Sequence, residues 1–574
     1  MLFRISARTG LTSLLLIGAG LINTFAFAPY DWHTLPLLTL TILAVALRQS
    51  QSPAQAAWLA FCYGLGWFGL GVSWVHVSIA TFGGMPLIAS LGIMALLVAY
   101  LSLFPALAAY LAARLAKGQP SYWPLLLAVC WTFAENLRSW LFTGFPWLSV
   151  GYSQTDGWLS SYAPLIGETG ITFILVFAAG SFAAFFRLSR KRSRLNPPDS
   201  PNNLLQRSEQ AQLAVVVLSL ALAPVLNVLK GWQPTGAQAS VALVQGNIRQ
   251  ELRWAPEQEL PTMKKYMQLT RPQLANRLVI WPEAAIPQLE PDAQAYLFNL
   301  DMLAAENQAA VISGILDVKR NGDAYNGMIV LGDTGVKGQI YHYETRNRYQ
   351  KHHLLPIGEF VPFERFLRDV APFFDLPNSS FARGEWLQPN LQAKGYQLLA
   401  ALCFEIAFPR QIRANFSADT NLLLTVSNDA WFGDSHGPWQ HLEIARMRAL
   451  EFGRPLLRAT NNGVTAAIDA DGKVLGQLPQ FQDGVLTLDV PLTQGRTLYS
   501  VVGDWPLYLL CLAAAAMLFW RKRQLTVSTS SNAPTQPAAP AETADVSVKT
   551  TDATFTADQP EANTAPKDRI EPHF

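Results

Sequence analysis

The chain has 574 residues and a formal charge of +2 at pH 7; half of its residues are hydrophobic and only 15% are charged. A soluble chain would carry more charge, and the 31 Phe and 17 Trp add a heavy aromatic load. Between Arg48 and Arg114 there is no Asp, Glu, Lys or Arg, which points to a polytopic membrane protein.

In chain order, eight apolar stretches approach the ~20 residues needed to cross a bilayer: 11–30, 34–47, 54–75, 85–113, 122–140, 162–186, 211–229 and 505–520. The pair Gly83-Gly84 divides the long uncharged stretch in two. If the spans alternate, Arg4 and Arg8, Arg48, Arg114 with Lys117, the cluster 187–194 and the run Arg521-Lys522-Arg523 fall on one side. Lysine and arginine mark that side as cytoplasmic. Both termini are then expected in the cytoplasm, and the large segment 231–503 on the opposite, outer side. Removing span 11–30 would invert this charge pattern, so it is read as an anchor rather than a signal peptide.

The expected domains are a membrane part with seven spans (1–230), an outer domain (231–503), a last span (504–523) and a disordered cytoplasmic tail (524–574), poor in aliphatic residues. Within the outer domain, SVALVQGNI, RLVIWPEAAIP, AAVISGILDV, GMIVLGD, YQLLAALCFEI, NLLLTVSND and TAAIDADGKVL read as strands, several buried on both faces. EQELPTMKKYMQLTRPQLA, PDAQAYLFNLDMLAAENQA and PWQHLEIARMRALEFGRP read as amphipathic helices. The expected architecture is a layered α/β domain.

Cys62, Cys130 and Cys511 lie in apolar runs, so Cys403 is left as a lone thiol in the outer domain. Three segments supply what could activate it. In IWPEAAIP a buried strand ends at Glu283, where a carboxylate in a partly dry cleft can take a proton. In YQKHHLLPIGEFVP a non-periodic loop carries Lys351, His352, His353 and Glu359. In LCFEIAFP the nucleophile stands at a strand-to-turn corner, where following backbone N–H groups can face a reacting carbonyl. Adjacent His352 and His353 point apart and have no spaced partners, which argues against a metal site.

Together these segments resemble the nitrilase superfamily, whose members use Glu, Lys and Cys in that chain order within an α-β-β-α sandwich. Glu283, Lys351 and Cys403 match the order, Glu359 in GEFVPFE matches an additional active-site glutamate, and SNDAWFG resembles the stretch after the nucleophile. With the flanking spans and the membrane segment FTGFPWLSVGYSQ, the combination resembles the apolipoprotein N-acyltransferase family of the Gram-negative envelope over roughly 11–520.

The resemblance implies a transferase that moves an acyl chain from a phospholipid to the α-amino group of a diacylglyceryl-modified N-terminal cysteine, through a thioester on Cys403. Glu283 would act as base, Lys351 would stabilise the oxyanion, and Glu359 would support them. Trp254, Phe404, Glu405 and Trp147 would contact substrate; Phe404 departs from the tyrosine associated with this position. No cofactor, metal or nucleic-acid partner is implied, and a monomer is expected. Glu135, Arg138 and Glu168 are intramembrane candidates that would either serve function or pair with each other, and His76 reads as a polar loop residue. A membrane-tethered amidase or thioester hydrolase would use the same triad and pass the acyl group to water. A transporter would instead predict repeated, Gly- or Pro-broken spans.

Overall fold

Each of the eight expected spans coincides with a helix in the computed structural model, which describes residues 7–117, 120–190, 201–275, 277–336, 338–356, 358–360 and 381–531. The helices are α1 (Ala7–Asn23), α2 (Leu35–Arg48), α3 (Pro53–Gly71), α4 (Leu87–Leu115), α5 (Trp123–Arg138), α6 (Ala163–Arg190) and α7 (Pro201–Leu226), with a last helix Trp505–Ser531 after the outer domain. Among the described residues, four stretches are long and apolar enough to cross a membrane, and a fifth if α3 is joined to the short helical stretch after it across a 57° bend. Leu35–Arg48 and Trp505–Met517 are shorter apolar helices, and the 16-residue α5 carries Glu135 and Arg138. The chain does break at Gly83-Gly84, between a π-helical turn at Ser78–Phe82 and α4. The last helix runs to Ser531; residues 532–574 of the expected tail lie outside the described residues.

The outer domain holds two six-stranded sheets, in the orders β12-β1-β2-β3-β4-β5 and β11-β10-β9-β8-β7-β6. Their strands are β1 (Trp232–Gln245), β2 (Leu278–Ile280), β3 (Ala310–Val318), β4 (Ala324–Gly332), β5 (Arg348–Gln350), β6 (Leu391–Ala393), β7 (Tyr396–Leu402), β8 (Leu422–Ser427), β9 (Leu456–Thr460), β10 (Ala466–Ile468), β11 (Val474–Gln477) and β12 (Gly484–Gly495). Both sheets repeat one pattern, three central parallel strands (β1-β2-β3 and β7-β8-β9) flanked by antiparallel ones.

Alternation along the strands builds the layers. Val241, Leu243, Leu278 and Ile280 meet Leu398, Leu402, Leu424 and Leu457 between the sheets. Ala242, Val244, Val279 and Trp281 face outward onto helices α8 (Pro256–Thr270) and α9 (Gln294–Glu306). The second sheet's outer face, with Leu399, Ala401, Leu423 and Leu456, belongs to one apolar core that runs on into the membrane helices. Helices α10 (Pro409–Asn415) and α11 (Gly437–Phe452) lie in that layer, giving an α-β-β-α sandwich with one side against the membrane part.

The junction is polar as well as apolar. At Gly167 the backbone turns with φ +66°, and a Cβ there would lie 2.3 Å from Tyr499. This break frees the Glu168 N–H, which donates to Glu451 Oε1 of α11 at 2.8 Å. The reading of α11 as amphipathic fails for that reason, because it has protein on every side and 14 of its 16 residues are buried.

Candidate active site

Cys403 directly follows β7 and opens a short 3-10 turn, Cys403–Ala407, with its own φ at +54°. A non-glycine residue in that region costs roughly 1–3 kcal/mol and persists only where its surroundings hold it. Part of the hold comes from Glu405. Its carboxylate accepts the N–H of Leu402 at 2.8 Å, of His352 at 2.8 Å and of His353 at 2.9 Å, the Tyr349 hydroxyl at 2.8 Å and Gln411 Nε2 at 2.8 Å. Glu405 is fully buried. It ties the cysteine turn to the lysine loop from beneath.

β5 ends one residue before Lys351, whose ammonium donates to Glu359 at 2.8 Å and lies 3.9 Å from Glu283 Oε1. Asn326, on the neighbouring β4, donates through Nδ2 to both glutamates, to Glu283 at 2.7 Å and to Glu359 at 3.0 Å. The second Glu283 oxygen takes the backbone N–H of Asn428 at 2.9 Å. The Glu283 turn lies so close on β3 that a Cβ at Gly314 would sit 2.5 Å from the Ala284 nitrogen. Below it, the buried Arg253 guanidinium bonds the Glu283 carbonyl and, at 2.7 Å, the Ala284 carbonyl.

Charge assigns resting states. Burial pushes the Cys403 thiol up to about 12, Glu283 adds to the shift, and Lys351 works against it. Burial disfavours the Lys351 charge, but Glu359, Glu283 and Cys403 outweigh it and hold the amine protonated above the usual lysine range. At rest the site therefore holds a thiol beside a fixed cation, and the thiol becomes a nucleophile only as a base removes its proton.

The structure brings Glu283, Lys351, Glu359 and Cys403 together as expected, and it sorts the remaining candidates. Phe404 is buried, with its ring 6.3 Å from that of Trp147 and 5.1 Å from that of Phe408. Trp147, expected against phospholipid, is only 1% exposed and donates its indole N–H to Gln440 of α11 at 2.7 Å; it is a joint between membrane part and sandwich. Trp254 is 44% exposed, with the Arg253 guanidinium 5.8 Å from its ring. Glu135 pairs with Arg138, which also donates to the carbonyls of Phe145 at 2.6 Å and Trp147 at 2.7 Å. Glu168 accepts from Ser149 and Thr172 at 2.7 Å each and from the Gly151 N–H at 3.1 Å. These three side chains hold the stretch from Phe145 to Gly151 in shape. His76 lies in a short helical turn rather than a loop. His352 bonds the Gly384 carbonyl, and His353 stacks on Phe408 with ring centres 3.5 Å apart.

Sequence reasoning did not single out Asn326 or Arg253. Asn326 stands in an ordinary strand pattern, whereas an arginine immediately before a singled-out tryptophan was a usable signal.

Two stacked sheets with Glu283, Lys351 and Cys403 converging beside them define a nitrilase-like hydrolase domain, and residues 240–499 match the carbon-nitrogen hydrolase family. Residues 19–181 match the apolipoprotein N-acyltransferase N-terminal domain. Proteins named apolipoprotein N-acyltransferase are similar along nearly their whole length. The one from Vibrio cholerae serotype O1 is 48% identical over 88% of this chain and 96% of its own. Those from Photobacterium profundum and Shewanella oneidensis are 44% identical (89% and 95% covered) and 46% identical (88% and 95% covered). The chain belongs to the apolipoprotein N-acyltransferase family of membrane acyltransferases.

Proposed function

We propose that the protein transfers a fatty acyl chain from a membrane phospholipid to the α-amino group of an S-diacylglyceryl-cysteine at the N-terminus of an apolipoprotein. The single observation that carries this reading is the packing of the cysteine turn against the membrane part through Phe404 and Trp147. A hydrolase of small soluble amides has no need of a nucleophile placed there.

In the first half, Glu283 takes the Cys403 proton and the sulfur attacks the ester carbonyl. The oxyanion is met by the Lys351 ammonium and the backbone N–H of Phe404. The C–O bond breaks, Glu283 returns the proton to the leaving lysophospholipid, and a thioester remains. In the second half the amine attacks the thioester and gives a proton to Glu283. The C–S bond then breaks, leaving the amide, and the thiolate is reprotonated. Glu359 and Asn326 keep Lys351 and Glu283 in register, and Trp254, exposed at the rim, meets the arriving chains. The distribution of lysine and arginine supports eight spans with both termini in the cytoplasm and the sandwich in the periplasm.

Mass spectrometry of a diacylated lipoprotein N-terminal peptide, incubated with phospholipid and enzyme, tests the reading. One added acyl chain on the α-amine, absent with Cys403→Ala, is expected. Release of free fatty acid without that gain would make the protein a hydrolase.

A further inference from the structure

Beside the groups already assigned lies a second buried polar set that the two half-reactions do not use: Ser427 at the end of β8, Asp429 just after it, His441 on α11 and Arg458 on β9. All four are no more than 2% exposed. Asp429 accepts Arg458 Nη2 at 2.5 Å and the Ser427 hydroxyl at 2.5 Å. Ser427 Oγ lies 3.5 Å from Cys403 Sγ. His441 Nδ1 lies 3.1 Å from both Asp429 Oδ1 and Arg458 Nη2, and its Nε2 lies 3.0 Å from the carbonyl oxygen of Cys403.

These contacts assign the imidazole. The Cys403 carbonyl can only accept, so Nε2 carries the proton. Nδ1 then accepts from Arg458, which needs only the neutral ring. Burial first, and then the Arg458 charge, hold His441 below the usual histidine range, in keeping with a neutral ring. Burial opposes ionisation of Asp429, but the Arg458 charge, helped by the Ser427 hydroxyl, outweighs it and keeps the carboxylate charged.

The consequence follows from the planarity of the peptide bond. In a trans peptide the C=O and the following N–H point in opposite directions. A carbonyl of Cys403 held towards His441 therefore fixes the direction of the Phe404 N–H, the backbone donor that meets the oxyanion. If that peptide rotated, the donor would be lost and a carbonyl oxygen would turn towards developing negative charge.

We propose that His441 is a positioning residue for the acyl transfer: it locks the Cys403–Phe404 peptide so that the Phe404 N–H faces the oxyanion, with Arg458, itself held by Asp429, fixing the ring. The inference rests on the thioester reading of Cys403.

Two near-isosteric variants of the full chain in detergent test it, with thioester formation on Cys403 followed from an alkyne-tagged phosphatidylethanolamine. In His441→Gln the side-chain amide nitrogen reaches the place of Nε2, and in His441→Asn only that of Nδ1. His441→Gln is expected to acylate within about ten-fold of the native rate, and His441→Asn roughly a hundred-fold slower at unchanged KM, the scale of a lost oxyanion donor. Equal rates in the two variants, or a change confined to KM, would overturn the proposal. Should either variant melt below native, acylation is compared at a temperature where all three proteins stay folded: a His441→Asn deficit that persists there supports the lock, and its disappearance overturns it. A native protein that forms no thioester would defeat the Cys403 reading itself, whereas a native thioester with two equal variants defeats only the lock.

Discussion

The two helical layers of the sandwich began as similar sequence patterns and ended in opposite surroundings. On the first sheet, α8 and α9 each bury four residues, among 15 and 13 respectively, and α9 leaves Phe298 and Met302 exposed. On the second sheet α11 buries 14 of 16, including Gln440, His441, Glu443, Arg448 and Glu451. The first layer is an ordinary amphipathic face. The second is an interior helix whose polar residues all needed partners, and it found them in the nucleophile turn, the neighbouring strands and the membrane helices. Polar residues on an exposed helix face are solvated, whereas the same residue types on α11 connect Cys403 to the membrane part. Gln440 accepts the indole N–H of Trp74 at 3.2 Å and of Trp147 at 2.7 Å, while the adjacent His441 holds Cys403.

The comparison breaks most sharply at Arg448. It pairs with Glu451 at 3.0 Å, and neither side chain is exposed. Arg448→Met leaves Glu451, which burial already pushes up to about 8, as a buried acid with no cation beside it. The expected loss is about 3–5 kcal/mol, the usual result of removing one partner from such a pair. Thermal unfolding of the detergent-solubilised protein checks it, and a melting temperature within a degree or two of native would mean that the junction carries little of the stability.

A smaller effect is expected from His353, which stands in the lysine loop and packs on Phe408. Burial depresses its pKa to about 4. An unfolded chain takes up this proton near pH 6.5 and the folded protein only near 4. Between those values the unfolded state binds more protons, so stability falls as pH drops from 6.5 towards 4 and levels off below. Over that window the loss from this group is about 3 kcal/mol. His353→Asn should flatten the difference in melting temperature between pH 7 and pH 5; an unchanged difference would place the titration elsewhere.

The same contrast explains what could be read from the sequence. Cys403 was legible because the other cysteines lie in apolar runs, and Glu283 and Lys351 because each directly follows a strand or stands in a polar loop. The parallel strands β2, β3, β7 and β8 were legible as continuous apolar runs, as sheets buried on both faces require. β9 was missed because Arg458 interrupts its apolar run, although that arginine is wholly buried and paired with Asp429. β5, of three residues, is too short to carry an alternating pattern. Trp147 and Glu405 were placed against substrate by the family resemblance, not by a pattern in the residues themselves. Their partners come from α11 and from the lysine loop, segments whose approach a linear pattern does not encode.

The smallest expected effect is also the control for the comparison. Met302 on α9 is 40% exposed, on a helix of which only Leu297, Leu300, Asp301 and Ala304 are buried. Met302→Lys should change stability by no more than about 0.5 kcal/mol, because the long side chain can keep its stem on the helix and its ammonium in water. Acylation of Cys403 should stay native, since α9 contacts the first sheet and no residue of the cysteine turn. A destabilisation approaching that of Arg448→Met would reveal that the outer face of α9 is covered in the working protein. The two helical layers would then both be interfaces, and the difference between them would lie in which partner each one meets.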